Sequence, residues 1–487
     1  MHVVQRRYVR KYRLSDSDYD DHDDHEEEEE DDGECPRFLT PLKRDWTGVP
    51  QMLLEDIFTL LTPKYRHVAS QVCYTWRSTF YSPRVWETFT LLERTLTRRI
   101  FNLYKGYQRD LCCRKTQVCL LKVGAHFKKI IITPIDNFFS LYEFLRVLNC
   151  FFEFYEEFPM PKLHTFLFTF SCESRGIAGV RIHGTGGKIL DILKLTLRNI
   201  RTLKSLRLNQ LLLDECEVPG LIESMIGSCQ ETMRTLELLN LSKVPVPLPE
   251  LARFSNLFRL TVSPQHLDEE MLLLLGGMGL VYLHILQDPY TCDCEAVSFE
   301  AWKLLKEIAP QLRVILEIQG LTKKDLLFQP RAPVVEVRFS TPYSKMTADI
   351  ASTVVEHYSK TLELLVQKHL PRIQGRRSFH DRGDSHFLFI VQHCHRLHSL
   401  VIRERLSNAS LILLANRSKN LKSLVVRQNA LLKKCDWPKS PDWSTEFHRH
   451  LKKTARSYGD SKIEVAKVMG HLWRPLRDDE FMRLYSR

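Results

Sequence analysis

Residues 203–208 read Leu-Lys-Ser-Leu-Arg-Leu, and this short phase recurs along the chain. Written L-x-x-L-x-L with other apolar residues allowed, it fits Phe127-Ile130-Ile132, Leu163-Phe166-Phe168, Leu203-Leu206-Leu208 and Met233-Leu236-Leu238. It continues at Leu257-Leu260-Val262, Leu280-Leu283-Ile285, Val334-Val337-Phe339, Leu397-Leu400-Ile402 and Leu421-Leu424-Val426. Weaker copies are Val314-Leu316-Ile318 and Leu362-Leu365. Alternation in the second half of the motif predicts a short strand with its apolar residues on one side. Between copies the pattern changes to amphipathic helix, as in FEAWKLLKEIA at 299–309 and in Asp268-Glu269-Glu270 ahead of MLLLL. One strand–helix unit cannot bury both its faces, whereas stacked units share a continuous core.

Starts at 203, 233, 257 and 280 give steps of 30, 24 and 23. These lie in or near the period of roughly 20–29 residues found in leucine-rich repeats. The predicted fold class is therefore α/β: an irregular leucine-rich-repeat solenoid, a curved parallel sheet with outer helices, over residues 91–430. A single α/β sheet is the competing reading, and the shared phase of the copies argues against it. Longer steps call for longer helices or insertions. Residues 431–487 lose the phase and read as a basic helical cap.

Upstream, residues 50–61 place Met52, Leu53, Leu54, Ile57, Phe58, Leu60 and Leu61 at helical spacing with a wide apolar face. Pro50 suits a first helical turn and Pro63 marks a stop. Val68, Ala69, Val72, Cys73, Trp76 and Phe80 form a second helical pattern, broken at Ser82-Pro83, and Trp86 follows. About 45 residues hide little surface alone, so a partner is expected for part of this one. An ordered domain is assigned to 45–90.

The chain has 487 residues, 44% hydrophobic and 26% charged, which excludes a fully disordered protein. Its net charge of +11 is unevenly spread: residues 15–34 hold 14 acids and no Lys or Arg. Residues 1–44, basic and then acidic, are expected to be a disordered tail. Thirteen Cys without regular spacing fit reduced thiols, hence a cytoplasmic or nuclear setting. No run of about 18 apolar residues is present, so no membrane partner is expected. Catalytic and nucleotide signatures such as GxxxxGK[ST], GxSxG and HExxH are missing. Cys292-Asp293-Cys294 with His284 lacks the spacing and second pair of a zinc site, and Gly184-Thr185-Gly186-Gly187 lacks the Lys of a phosphate loop. No metal and no cofactor is expected.

The string Val49-Pro50-Gln51-Met52-Leu53-Leu54-Glu55-Asp56-Ile57-Phe58 … Leu61, then Val72-Cys73-x-x-Trp76, then Pro83-Arg84-Val85-Trp86, resembles the F-box. With the repeats it resembles F-box substrate receptors, and more narrowly the F-box only protein 33 and 39 subgroup. The narrower likeness rests on Trp46, Arg66 with Ala69, LKSLRLNQLLLDE at 203–215 and NLFRLTVSPQHLDEEMLLLL at 256–275. The resemblance implies a non-catalytic adaptor that binds Skp1 and, through it, cullin-1 and a RING subunit. It would present a protein substrate for ubiquitination and proteasomal degradation. Pro50, Leu53, Leu54, Ile57, Phe58, Leu61, Val72, Cys73, Trp76 and Trp86 are the expected Skp1-binding residues. Two departures stand out: Met52 replaces a frequent acid, and Tyr65-Arg66 replaces Asp-Leu. The second is expected to cost helix two one apolar contact.

For the substrate, the outward positions of the strands carry Lys129, Arg207, Arg259, Arg338, Arg403 and Arg427, against Glu237 and Glu336. Tyr282 and His284 lie near the middle. This surplus of base predicts an acidic or phosphorylated substrate segment on the concave strand face. A Skp1-bound scaffold without ligase function and a basic nucleic-acid-binding repeat protein are the alternatives; nucleic acid is disfavoured because the Arg residues are dispersed.

Overall fold

The structure, a computed structural model, describes residues 46–484 apart from 105, 156, 177–178, 373–381 and 419. The chain divides into two units, Met1–Val49 and Pro50–Arg487. In the first, the described residues form a single 3-10 turn, Trp46–Gly48. The expected tail over 1–44 lies outside the described residues.

The second unit opens with three short helices, α1 (Gln51–Leu60), α2 (Pro63–Ala69) and α3 (Tyr74–Phe80). Pro50 precedes α1, and Pro63 is the first residue of α2 behind Thr62, where its missing N–H costs nothing. A 3-10 turn at Pro83–Trp86 leads into strand β1 (Thr88–Leu91). A hairpin, β2 (Thr97–Asn102) and β3 (Gly106–Leu111), then precedes α4 (Cys113–Val123).

The repeats continue with β4 (Lys129–Ile132), α5 (Phe138–Phe154) and β5 (Thr165–Thr169). A second hairpin, β6 (Glu173–Gly176) and β7 (Gly179–Ile182), precedes α6 (Gly187–Asn199), β8 (Ser205–Asn209) and α7 (Val218–Cys229). Next come β9 (Thr235–Leu239), β10 (Arg259–Val262), α8 (Glu269–Gly276), β11 (Tyr282–Gln287), α9 (Phe299–Ile308) and β12 (Arg313–Gln319). The series proceeds through β13 (Val334–Ser340), α10 (Ala348–Tyr358), β14 (Leu364–Gln367), α11 (Asp384–His393) and β15 (Ser399–Ile402). It closes with β16 (Leu406–Ser407), α12 (Asn408–Arg417), β17 (Ser423–Val426), β18 (Leu431–Leu432) and helices α13 (Thr445–Thr454), α14 (Tyr458–Met469) and α15 (Asp478–Arg483).

Among the described residues, twelve strands form one sheet in the order β1-β4-β5-β8-β9-β10-β11-β12-β13-β14-β15-β17. Every neighbouring pair in it is parallel. The fold is thus α/β, a helical N-terminal bundle followed by a parallel sheet with a helix or irregular segment between strands. Each motif copy falls on a strand in register: Ile130 pairs with Phe166, Phe166 with Leu206, and Leu206 with Leu236. The apolar positions of the motif are buried from Phe127 to Val426 in one continuous cluster.

Two features were not anticipated. Strand β1 starts the sheet at Thr88, across the expected boundary at 90/91. The two hairpins interrupt the repeat. The long steps are filled by α5, 17 residues long, and by the β6–β7 hairpin. Gly184 is required by close approach, since a Cβ there would collide with the Leu212 carbonyl.

Candidate functional site

Helix α1 carries two apolar stripes at intervals of three and four residues. Leu54 and Phe58 face inward and are fully buried. Each buried side chain of this size contributes about 1.5–3 kcal/mol. Phe58 meets Trp76 edge-on at 5.8 Å. Trp86 donates its indole N–H to the Phe80 carbonyl at 2.5 Å and packs on Phe80 and on Phe127. Phe89 stacks on Phe127 at 5.0 Å and on Phe144 at 5.8 Å. This aromatic seam joins the bundle to the first strands of the sheet.

The other stripe faces solvent. Leu53 is 54% exposed and Leu60 86%, and Ile57 and Met52 are exposed between them. Val68 in α2, Val72, and Tyr74 at the start of α3 are exposed as well. Exposed apolar surface of this kind is the chemistry of an interaction site. Pro50 is exposed, while Leu61, Cys73 and Trp76 are half-buried.

The expected Skp1-binding set therefore divides. Leu54, Phe58 and Trp86 are corrected: the inward stripe and the seam consume them, leaving no surface for a partner. Met52, Leu60, Val68 and Tyr74, outside the expected set, are exposed as well. The signal for Leu60 was present, because it follows Leu53 and Ile57 at helical spacing.

Arg66 also differs from expectation. Rather than costing a contact, it ends helix α1. Its Nε donates to the carbonyls of Phe58 at 2.9 Å and Leu61 at 3.0 Å, and Nη2 donates to Thr59 O at 3.2 Å. These are the carbonyls a helix leaves unsatisfied at its C-terminus. The guanidinium lies 4.8 Å over the Trp86 ring, so one side chain caps α1 and binds the seam. Burial lowers its pKa.

On the strand face the expected basic surface is largely neutralised. Arg207 pairs with Glu237 at 2.9 Å across β8 and β9. Arg338 donates Nε and Nη2 to the two oxygens of Glu336, at 2.6 and 2.8 Å, and Nη1 to Glu317 at 3.2 Å. Glu317 also accepts from Ser340 at 2.6 Å and Lys368 at 3.1 Å, and His284 Nε2 lies 3.2 Å away. Burial opposes its charge, but His284, Lys368 and Ser340 outweigh this and hold the carboxyl well below the usual range. Glu317 was absent from the expected face because the copy at 314–318 is weak.

Arg403 is corrected outright. It is fully buried and donates to the carbonyls of Thr341 at 2.5 Å, Lys368 at 2.6 Å and Ser344. Burial lowers its pKa to about 10. Arg427 forks onto Asp478 at 2.9 and 3.0 Å, at the start of α15. Asp478 is held below the ordinary range mainly by that bond. Neither Arg403 nor Arg427 is available to a substrate. Lys129 is half-buried with no ion pair among the described residues, and Arg259 stacks 4.7 Å over Tyr282, itself edge-on to exposed Phe258 at 5.4 Å. Lys129, Arg259 and Tyr282 are what remains open of the expected surface. His284 is buried beside Glu317.

Cys292 and Cys294 are half-buried, and burial lifts the Cys294 thiol to about 11. No cluster of three metal-type ligands occurs among the described residues.

The model of the F-box domain matches residues 46–88. No curated protein matches the chain. Among solved structures, the crystal structure of the Rad7 and Elc1 complex in yeast is similar at 10% identity and a TM-score of 0.38, covering 81% of this chain and 93% of that one. The leucine-rich repeat-containing protein LegL7 from Legionella pneumophila is similar at 11% identity and a TM-score of 0.38, covering 73% and 94%. Both similarities are too distant to transfer a property. On its own geometry and the domain match, the chain carries an F-box domain at residues 46–88 followed by a parallel-strand sheet of the leucine-rich type.

Proposed function

We propose that the protein is the substrate-recognition subunit of a Skp1–cullin–F-box ubiquitin ligase. The observation that carries this reading is the exposed stripe of Leu53, Ile57 and Leu60 with Val72. It lies within the matched F-box residues while the opposite face of the bundle is sealed against the sheet. Skp1 would cover the stripe; cullin-1 and a RING subunit would follow through Skp1. The long parallel sheet would hold a protein substrate. Its own residues need supply no bond chemistry, because tethering raises the local concentration of substrate lysines around an enzyme bound elsewhere. The working compartment is proposed to be cytoplasm, nucleus or both.

The test uses Leu53→Asp with Ile57→Asp, both on exposed positions. Charge in a dry interface costs several kcal/mol, so Skp1 should no longer co-purify with the full chain. Retained Skp1 binding by this folded variant would refute the assignment. Substitution at Leu54 is uninformative, since a charge there disrupts the bundle itself.

A further inference from the structure

The two hairpins stand where neither the bundle stripe nor the strand face uses them. They follow β1 and β5, the strands on either side of β4, so both leave the sheet at its carboxyl edge. Their roots are linked. Asn137 Nδ2 donates to Arg109 O at 3.2 Å and Asp110 Oδ1 at 2.8 Å in the first hairpin. The adjacent Phe138 ring lies 5.1 Å from His183, at the foot of the second. Leu111 is buried, and its N–H donates to Ser140 Oγ at 3.0 Å.

Beyond the roots, composition is ordered along the axis. Leu103 is 87% exposed and Tyr104 97%, both in the turn. Phe101 and Tyr107, paired across the strands behind them, are exposed and 5.1 Å apart. Arg99 and Arg109 form the pair two positions back, behind Ile100–Gln108; Arg98 lies beside them, and all three are exposed. The second hairpin also exposes Val180 and Arg181, with Ile182 exposed at its root opposite Glu173. The acids are turned to the roots: Asp110 accepts from Asn137, and Glu173 accepts from the Tyr290 hydroxyl at 2.6 Å.

We propose that the paired hairpins are a peripheral docking site for an anionic lipid bilayer. Leu103 and Tyr104 enter the interface and the arginines sit over anionic headgroups. The tip leads the Arg99–Arg109 pair by two residues or more, roughly 7 Å. That matches the approximately 5–10 Å to which interfacial apolar groups are buried. Aromatic and basic side chains are the residues that settle at this boundary. A polyanionic peptide would engage the arginines but give Leu103 and Tyr104 no role, and a single-stranded nucleic acid would stack on Tyr104 but leave the exposed Leu103 unused. The contact is distinct from spanning, as no described helix is long and apolar enough to cross a membrane.

The full chain is tested by flotation with phosphatidylcholine–phosphatidylserine vesicles and with pure phosphatidylcholine vesicles. Binding is expected on the first, weakening with added salt. Leu103→Asp with Tyr104→Asp should lower affinity at least about tenfold without moving the melting temperature. Arg98→Glu with Arg109→Glu should remove the preference for phosphatidylserine. Tyr104→Trp should shift its emission to the blue only with the anionic vesicles. Failure to float, flotation indifferent to Leu103 and Tyr104, or binding of single-stranded oligouridylate through these residues in its place would overturn the proposal.

Discussion

The bundle and the strand face present opposite cases. On the bundle, side chains that look like core remain at the surface: Leu53, Ile57 and Leu60 are exposed. On the strand face, side chains that look like surface are occupied: Arg207, Arg338 and Arg427 are ion-paired, and Arg403 is buried. Residue type does not determine availability; what the fold sets opposite each side chain does.

The contrast breaks most decisively at Arg403. Arg403→Leu leaves three carbonyls without their donor. Unpaired buried polar groups cost about 1–3 kcal/mol each, so a loss of roughly 3–5 kcal/mol is expected by chemical denaturation. A variant as stable as the parent would return Arg403 to the surface set.

A smaller effect is expected at Glu317. Its folded pKa lies below the ordinary value of 4.5. Its contribution is therefore complete above pH 4.5 and lost as the pH falls from there toward the depressed folded value. Glu317→Gln should lower stability at neutral pH by about 1–3 kcal/mol and flatten the acid limb of the stability profile. An unchanged acid limb would mean that the Arg338–Glu317–Lys368 network is not closed in solution.

The smallest effect sharpens the other side of the comparison. Leu53→Asp with Ile57→Asp should change stability by no more than about 0.5 kcal/mol, despite removing two large apolar groups. A large drop in melting temperature would place these residues in the core and remove the open stripe.

Periodicity made much of the fold legible. The L-x-x-L-x-L copies located the strands β4, β5, β8 to β15 and β17 of the long sheet, because strand alternation and burial constrain the same residues. Strand β1 was overlooked although Trp86-Phe89-Leu91 fits the same phase, because Trp86 also completes the helical segment before it. The hairpins were hidden because their strands bury almost nothing, so no apolar alternation announces them. Weakness of the copy at 314–318 concealed Glu317, and with it the partner that occupies Arg338.

The sequence alone determined the α/β class, the helical bundle at the N-terminal end of the sheet and the resemblance of residues 45–90 to an F-box, whose domain model matches 46–88. These follow from local spacing, which a linear chain displays directly. Only the tertiary structure decided which stripe of α1 is sealed, that Arg66 caps a helix eight residues away from Phe58, and which strand-face charges are already satisfied. Those outcomes depend on partners brought together from distant positions, such as Arg403 with Thr341 and Arg427 with Asp478. Burial and pairing energies exist only once such partners meet, so no local pattern can encode them.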